Sequence, residues 1–247
     1  MKHLVLIGAG SAIAQHCARL WVAREPLRVT LVGRDAARLH AVADDLRVRS
    51  PQADIGVVTA DFDTPQGIEA AVTACAARAP IDRALIAHGW LADQTACEQA
   101  LAVCAQALQV NGLSPVLFAE AVARHLSQRG SGTLAVIGSV AGDRGRRSNY
   151  VYGAAKALVD RYLQGLQHRF ADTDVRVVLI KPGPTDTPMT AGFKAQGRAL
   201  APVEQVAADI VRGMDRGQRV VYTPGVWRVI MWVIRHLPFV VFRRLKI

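Results

Sequence analysis

Short runs of consecutive apolar residues alternate with longer, Ala-rich stretches in which apolar residues recur every three or four positions, and the alternation persists through most of the chain. A strand buried on both faces of a parallel sheet needs the first pattern, and a helix covering that sheet needs the second. Strands are expected near His3–Ile7, Arg28–Val32, Ile55–Thr59, Arg83–Ala87, Thr133–Ile137, Val175–Ile180 and Arg219–Tyr222. Helices are expected between them, including Ala12–Ala23, Ala36–Arg49, Gln66–Arg78 and Pro202–Arg216. This order predicts an α/β fold: a single Rossmann-type, doubly wound parallel sheet of about seven strands with helices on both faces. Such sheets bind ligands at the carboxyl ends of their strands. Gly8, Gly33, His88, Ser139 and Pro182 each follow a strand, so they gather on one edge.

With 247 residues, 51% of them apolar, the chain can bury one large core. No long linker, repeat or low-complexity block divides it, so residues 1–225 are expected to form the sheet domain and residues 226–247 a separate tail. Cys17, Cys75, Cys97 and Cys104 have neither paired spacing nor a zinc-type histidine companion, so no metal site is expected and the thiols read as reduced. The first apolar run, Leu4 to Ile7, is too short for a signal peptide. The expected location is the cytoplasm, with a peripheral place at the inner face of the membrane open because of the tail.

Charge sharpens that point. The formal net charge is +10, and the segment Val226 to Ile247 supplies +5 of it through Arg228, Arg235, Arg243, Arg244 and Lys246, with no acid. A polyanionic partner is the first implication. Strand-borne exposed aromatics and nucleic-acid motifs are lacking, so nucleic acid is not expected. Trp227, Trp232, Phe239 and Phe242 beside these cations have the composition of a segment lying in the headgroup region. The apolar stretches are broken by Arg235 and Pro238 and fall short of the roughly 20 residues that span a bilayer. Membrane contact and packing on a neighbouring subunit both remain open.

Tyr152 and Lys156 stand four apart in a helix-compatible stretch, with Ser139 upstream after a strand. Residues at i and i+4 share a helix face, so the ammonium is expected near the phenol, favouring its ionised form. Acid catalysis near neutrality requires such tuning. Ser139 would hydrogen-bond the same substrate oxygen from the side.

Gly8-Ala9-Gly10-Ser11-Ala12-Ile13-Ala14 joins the first strand to the first helix, where backbone N–H groups and the helix dipole can receive a pyrophosphate. Gly33 stands where an NAD site usually places a carboxylate, and Arg34 follows, suited to a 2′-phosphate. NADPH is therefore the expected cofactor, with NADH left open through Asp35. Asp61 is expected either to take the adenine amino group or to cap a helix.

These pieces together resemble the short-chain dehydrogenase/reductase family over nearly the whole chain. Asn111, Ser139, Tyr152 and Lys156 match its catalytic tetrad, and Lys181-Pro182-Gly183-Pro184-Thr185-Asp186-Thr187 matches the segment that holds the nicotinamide carboxamide. The resemblance implies cofactor contacts from Gly8, Gly10, Ser11, Ala12, Ile13, Gly89, Tyr152, Lys156, Pro182, Gly183, Thr185 and Thr187. It also implies that Lys156 binds the nicotinamide ribose, that Asn111 kinks a helix to hold a proton-relay water, and that the chain forms a homo-oligomer. One departure is visible: Ile86-Ala87-His88-Gly89 replaces the family's Asn-Asn-Ala-Gly, and His88 is expected either to touch the cofactor ribose or to fill the gap.

A narrower resemblance, carried by residues 139–153 and by the ending from Tyr222 to Leu245, is to the decaprenylphosphoryl-β-D-erythro-pentofuranosid-2-ulose 2-reductase group. It implies reduction of a 2-keto furanose on a polyprenyl phosphate after an FAD-dependent oxidase partner has acted, the two steps turning ribose into arabinose. Arg144, Arg146 and Arg147 lie in the loop bordering the reacting carbon, and Arg146 or Arg147 is expected to meet the substrate phosphate. The Gly- and Pro-bearing stretch from Asp186 to Ala201 suits a mobile lid. A reductase of another carbonyl, such as a 3-oxoacyl thioester, is the alternative. A catalytically silent, cofactor-sensing membrane adaptor is a rival of another class, and the intact tetrad argues against it.

Overall fold

The computed structural model describes residues 1–245; Lys246 and Ile247, included in the expected tail, lie outside the described residues. Seven parallel strands form one sheet in the order β3-β2-β1-β4-β5-β6-β7. They are β1 (Lys2–Ile7), β2 (Leu27–Gly33), β3 (Asp54–Thr59), β4 (Arg83–Ile86), β5 (Ser131–Ile137), β6 (Asp174–Pro182) and β7 (Val220–Thr223). The helices are α1 (Ala12–Val22), α2 (Ala36–Arg49), α3 (Pro65–Arg78), α4 (Gln94–Gln99), α5 (Leu101–Leu108), α6 (Ser114–Arg129), α7 (Tyr150–Arg169), α8 (Ala191–Ala195), α9 (Val203–Asp215), α10 (Val226–His236) and α11 (Phe239–Phe242).

Both faces of the central strands are buried, as their unbroken apolar runs require. In β1, Leu4 and Leu6 join the core beneath α1, α2 and α9, while Val5 and Ile7 join the opposite core with Ile68, Phe118 and Leu163. The chain runs outward from β1 through β2 to β3, then returns to lay β4 on the other side of β1. This reversal opens a crevice between the carboxyl ends of β1 and β4.

The run Leu101–Arg129 is long enough to cross a membrane and contains an 18-residue window of mean hydropathy 1.4. Phe118, Ala119, Val122 and Leu126 within it are buried in the core of the fold. Its α-helical ladder is interrupted by a π-helical turn, Gln109–Leu113, centred on Asn111. At the far edge, α10 turns Met231 fully inward, beside the half-buried Trp227, Ile230 and Ile234.

Candidate active site

A cavity of about 530 Å³ opens at the carboxyl edge of the sheet and is lined by the β1–α1 loop, the ends of β2, β4, β5 and β6, and the start of α7. The β1–α1 loop turns tightly because Gly8 adopts φ +80°, and a side chain there would meet the His88 backbone N at 2.5 Å. Ser11 caps α1 with no side-chain bond to the first turn. Ser11, Ala12 and Ile13 line the cavity, so the unmet N–H groups that every helix N-terminus carries adjoin it. A helix start of this kind accepts a phosphate.

Gly33 and Arg34 also line the cavity, as expected, and so does Arg38, which pattern alone did not single out. Arg38 donates to the Gly10 carbonyl at 2.6 Å. It lies in the first turn of α2, where a cation opposes the helix dipole, and that local cost was the available signal. Asp35 also lines the cavity, but its side chain accepts from Arg38 N at 3.0 Å and caps α2.

Asp61 serves the turn that starts α3. Its carboxylate accepts from the Asp63 amide at 2.8 Å and the Thr64 hydroxyl at 2.6 Å. Thr64, rather than Asp61, caps α3. Asp61 is absent from the cavity wall, where Phe62 and Asp63 stand instead.

The four residues of the expected tetrad lie close together. Ser139 accepts from Ala141 N at 3.1 Å and so caps the 3-10 turn Val140–Asp143 that follows β5. Tyr152 and Lys156 line the cavity from α7, the Lys156 ammonium 5.7 Å from the Tyr152 ring centroid. Asn111 is buried behind them and spends its amide on the chain. Its Nδ2 donates to Trp90 O at 2.7 Å and Ala107 O at 2.9 Å, while its Oδ1 accepts from Trp90 N at 2.8 Å. It thereby ties the π turn to the segment after β4.

The expected electrostatics of the pair are reversed. Burial pushes the Tyr152 phenol up to about 12, with a hydrogen bond from Ser139 pulling the other way. Burial also lowers the Lys156 ammonium to about 8, and this ammonium donates to the Ile137 carbonyl at 3.0 Å rather than to the phenol. Desolvation outweighs the attraction that the i, i+4 spacing suggested. The arrangement holds Tyr152 as a protonated phenol at neutral pH, which is the form that can give up a proton.

His88 sits among aromatic rings just after β4. Its ring packs edge-on against Phe62 at 4.8 Å and Phe118 at 5.6 Å, and its Nε2 meets Ser114 Oγ at 3.0 Å. Burial, aided by the charges of Lys156 and Arg34, drives its pKa to about 3, so the ring is neutral. Gly89 lines the cavity next to it.

On the opposite wall Pro182, Gly183, Thr185 and Thr187 line the cavity. Thr185 donates to the Gly183 carbonyl at 3.0 Å, and Thr187 caps the short turn Pro188–Thr190. Met189 and Phe193 from the expected lid face the same space, as does Trp227 from α10. Trp227 packs on Gly183 so closely that a side chain at Gly183 would collide with its indole Nε1.

The three loop arginines separate. Arg144 donates to the carbonyls of Ile234 and Leu237 and lies 3.8 Å over the Phe242 ring. Arg146 lines the cavity with its Nε buried and without a hydrogen-bond partner. Burial lowers its pKa, and Arg198 of the lid adds to the effect. Arg147 is exposed and away from the cavity wall.

Comparison with known proteins points the same way. The family model described as short chain dehydrogenase matches residues 2–197. An uncharacterized oxidoreductase of Streptomyces coelicolor is 32% identical over 246 residues, covering 100% of this chain and 96% of its relative. One from Mycobacterium tuberculosis is 33% identical over 245 residues, covering 98% and 96%. Among solved structures, a short-chain dehydrogenase from Sphingobium yanoikuyae in complex with NADPH superposes with a TM-score of 0.81 at 23% identity, covering 97% of each chain.

Proposed function

We propose, for a chain that belongs to the short chain dehydrogenase family and is an NAD(P)-dependent oxidoreductase, that it uses NADPH to reduce a ketone carried beside an anionic group. The finer reading is a 2-keto pentofuranose joined to a polyprenyl phosphate, the product of an FAD-dependent oxidase. The observation that carries the anionic group is Arg146, a guanidinium in the cavity wall with its Nε buried and unpartnered. A buried cation of this kind is costly unless an anion meets it. Arginine's planar fork suits a phosphate ester.

The residues present fit a dinucleotide. The Gly8 turn, the open start of α1 and the cations Arg34 and Arg38 form a phosphate-binding cradle along one arm of the cavity. When bound, nicotinamide supplies the hydride for the carbonyl carbon. Arg34 and Arg38 favour a 2′-phosphate, since Asp35 is committed to capping α2.

In this reading Tyr152, held protonated by burial, donates its proton to the carbonyl oxygen. Ser139, already hydrogen-bonded to Tyr152, orients that oxygen. The Lys156 ammonium stabilises the phenolate left behind. Asn111 keeps the π turn and Trp90 in place, so that the part of the cavity wall formed by Trp90 holds its shape. Met189 and Phe193 close over the substrate and exclude water.

Turnover measured on a polyprenyl-phosphoryl ketosugar and on a 3-oxoacyl thioester tests the reading. Preference for the ketosugar is expected, with Arg146→Ala raising its KM at least tenfold and Arg147→Ala leaving it unchanged. Preference for the thioester, or equal effects of both substitutions, would discard it.

A further inference from the structure

The helix α10 is apolar on two opposite sides. Trp227, Ile230, Met231 and Ile234 turn toward the protein, whereas Val226, Val229, Trp232 and Val233 turn away, Trp232 being 64% exposed. The outward surface continues on α11 with Phe239, Val240 and Val241, Phe239 being 71% exposed. A contiguous apolar surface of this kind, left exposed, marks a site of interaction. Among the described residues, none covers this outer face.

Charge selects the cover. Arg228 and Arg235 edge α10, Arg243 and Arg244 follow α11, and the stretch from Val226 onward has no acidic residue. Two-fold pairing with a second copy would set this patch against itself, bringing cations to cations with no carboxylate between them. An anionic bilayer surface supplies the missing charge and accepts Trp, Phe and Val at the boundary of headgroups and acyl chains. At 11 residues, with Pro238 after it, α10 is long enough to lie on a bilayer and too short to cross one.

We propose that the outer face of α10 and α11 is a docking surface for an anionic lipid bilayer, and that docking sets the active-site cavity beside that surface. The second half follows from the inner face. Trp227 is part of the cavity wall and packs on Gly183. At the other end of α10, Arg144 grips the carbonyls of Ile234 and Leu237, two residues before Arg146 in the same loop. The segment that meets the lipid is thus fastened to two walls of the cavity. Use of this surface to deliver substrate rests on the lipid-linked reading above; the docking itself does not.

Sedimentation of the full-length protein with sucrose-loaded vesicles tests the docking. Binding to vesicles of phosphatidylcholine with phosphatidylglycerol is expected to be at least tenfold tighter than to phosphatidylcholine alone. Val229→Glu with Trp232→Glu should weaken it at least tenfold and leave NADPH-dependent reduction of a small soluble ketone unchanged. Arg243→Glu with Arg244→Glu should do the same, and it covers the case in which the first variant does not fold. Wild-type protein that stays in the supernatant would overturn the docking, as would wild-type binding by both variants. A dimer dispersed by the first variant, without vesicle binding, would assign the face to a second copy and overturn it equally. Reduction of detergent-solubilised lipid ketosugar by a protein that ignores vesicles would sink the docking and spare the substrate reading. Vesicle binding without reduction of that lipid would support the docking and discard the substrate.

Discussion

Lys181, near the end of β6, reaches Asp143 at 2.5 Å and through it holds the turn that Ser139 caps. The same ammonium meets Asp160 of α7 at 2.6 Å, and the Tyr222 hydroxyl donates to Asp143 at 2.9 Å. The pair is buried, with side-chain exposures of 6% and 1%. Burial alone would lower the lysine, but its bonds to Asp143 and Asp160 outweigh it and hold the ammonium above its usual range. Asp160 lies one helical turn beyond Lys156, so one cation ties together the elements that carry Ser139, Tyr152 and Lys156.

Replacing Lys181 by Met leaves two buried carboxylates facing each other. A loss of about 3–5 kcal/mol in urea unfolding is expected for a broken buried pair. Steady-state kinetics should show kcat falling while KM for NADPH holds, because the cofactor walls are untouched. Adding Asp143→Asn and Asp160→Asn should restore most of the stability. A single variant as stable as the wild type would remove this account.

Tyr152→Phe deletes the proton donor and keeps the ring. Turnover should fall by about 10²–10⁴, the range for loss of a positioned acid. NADPH binding, followed by fluorescence titration, should stay within a few-fold of wild type.

Lys156 makes the stability of the ligand-free protein depend on pH. Its pKa falls from 10.5 to about 8 on folding, so between these values the unfolded chain binds more protons and stability rises with pH. Below about 8 both states are charged, and the cost of burying the ammonium is present in full. Thermal melts from pH 7.5 to 10 should show this rise against the background of other groups. The variant Lys156→Met should lack it.

Arg34→Ala should weaken NADPH binding by about tenfold to a hundredfold, the loss expected for one or two charge-assisted hydrogen bonds, and leave NADH binding unchanged. Arg38→Ala should weaken both, since Arg38 also braces the Gly10 carbonyl. Equal losses for both cofactors in Arg34→Ala would show that Arg34 does not read a 2′-phosphate.

The central strands were legible because both of their faces are buried, so apolar runs mark them to within a few residues. β5 starts at Ser131 and β6 runs on to Pro182, beyond the apolar runs, because backbone pairing with neighbours continues where side-chain apolarity stops. The grouping of Ser139, Tyr152 and Lys156 was legible too, since a strand end and an i, i+4 helix spacing are both local. Their charge states were not. Burial of Tyr152 and Lys156 depends on walls supplied by distant segments, and that burial, rather than their mutual attraction, decides which way each pKa moves.

The sequence by itself determined the order of strands and helices, the edge of the sheet where chemistry gathers, and the residue types available there, because periodicity records which face of each element is buried. Only the tertiary structure decided the partners. It turned Arg144 to the tail, Arg146 into the cavity and Arg147 to solvent, though the three lie within four positions. It committed Asp61 to a turn and brought Trp227 onto Gly183. Side chains in loops have no periodic constraint, and what they meet is set by elements far away in the chain that pack against them.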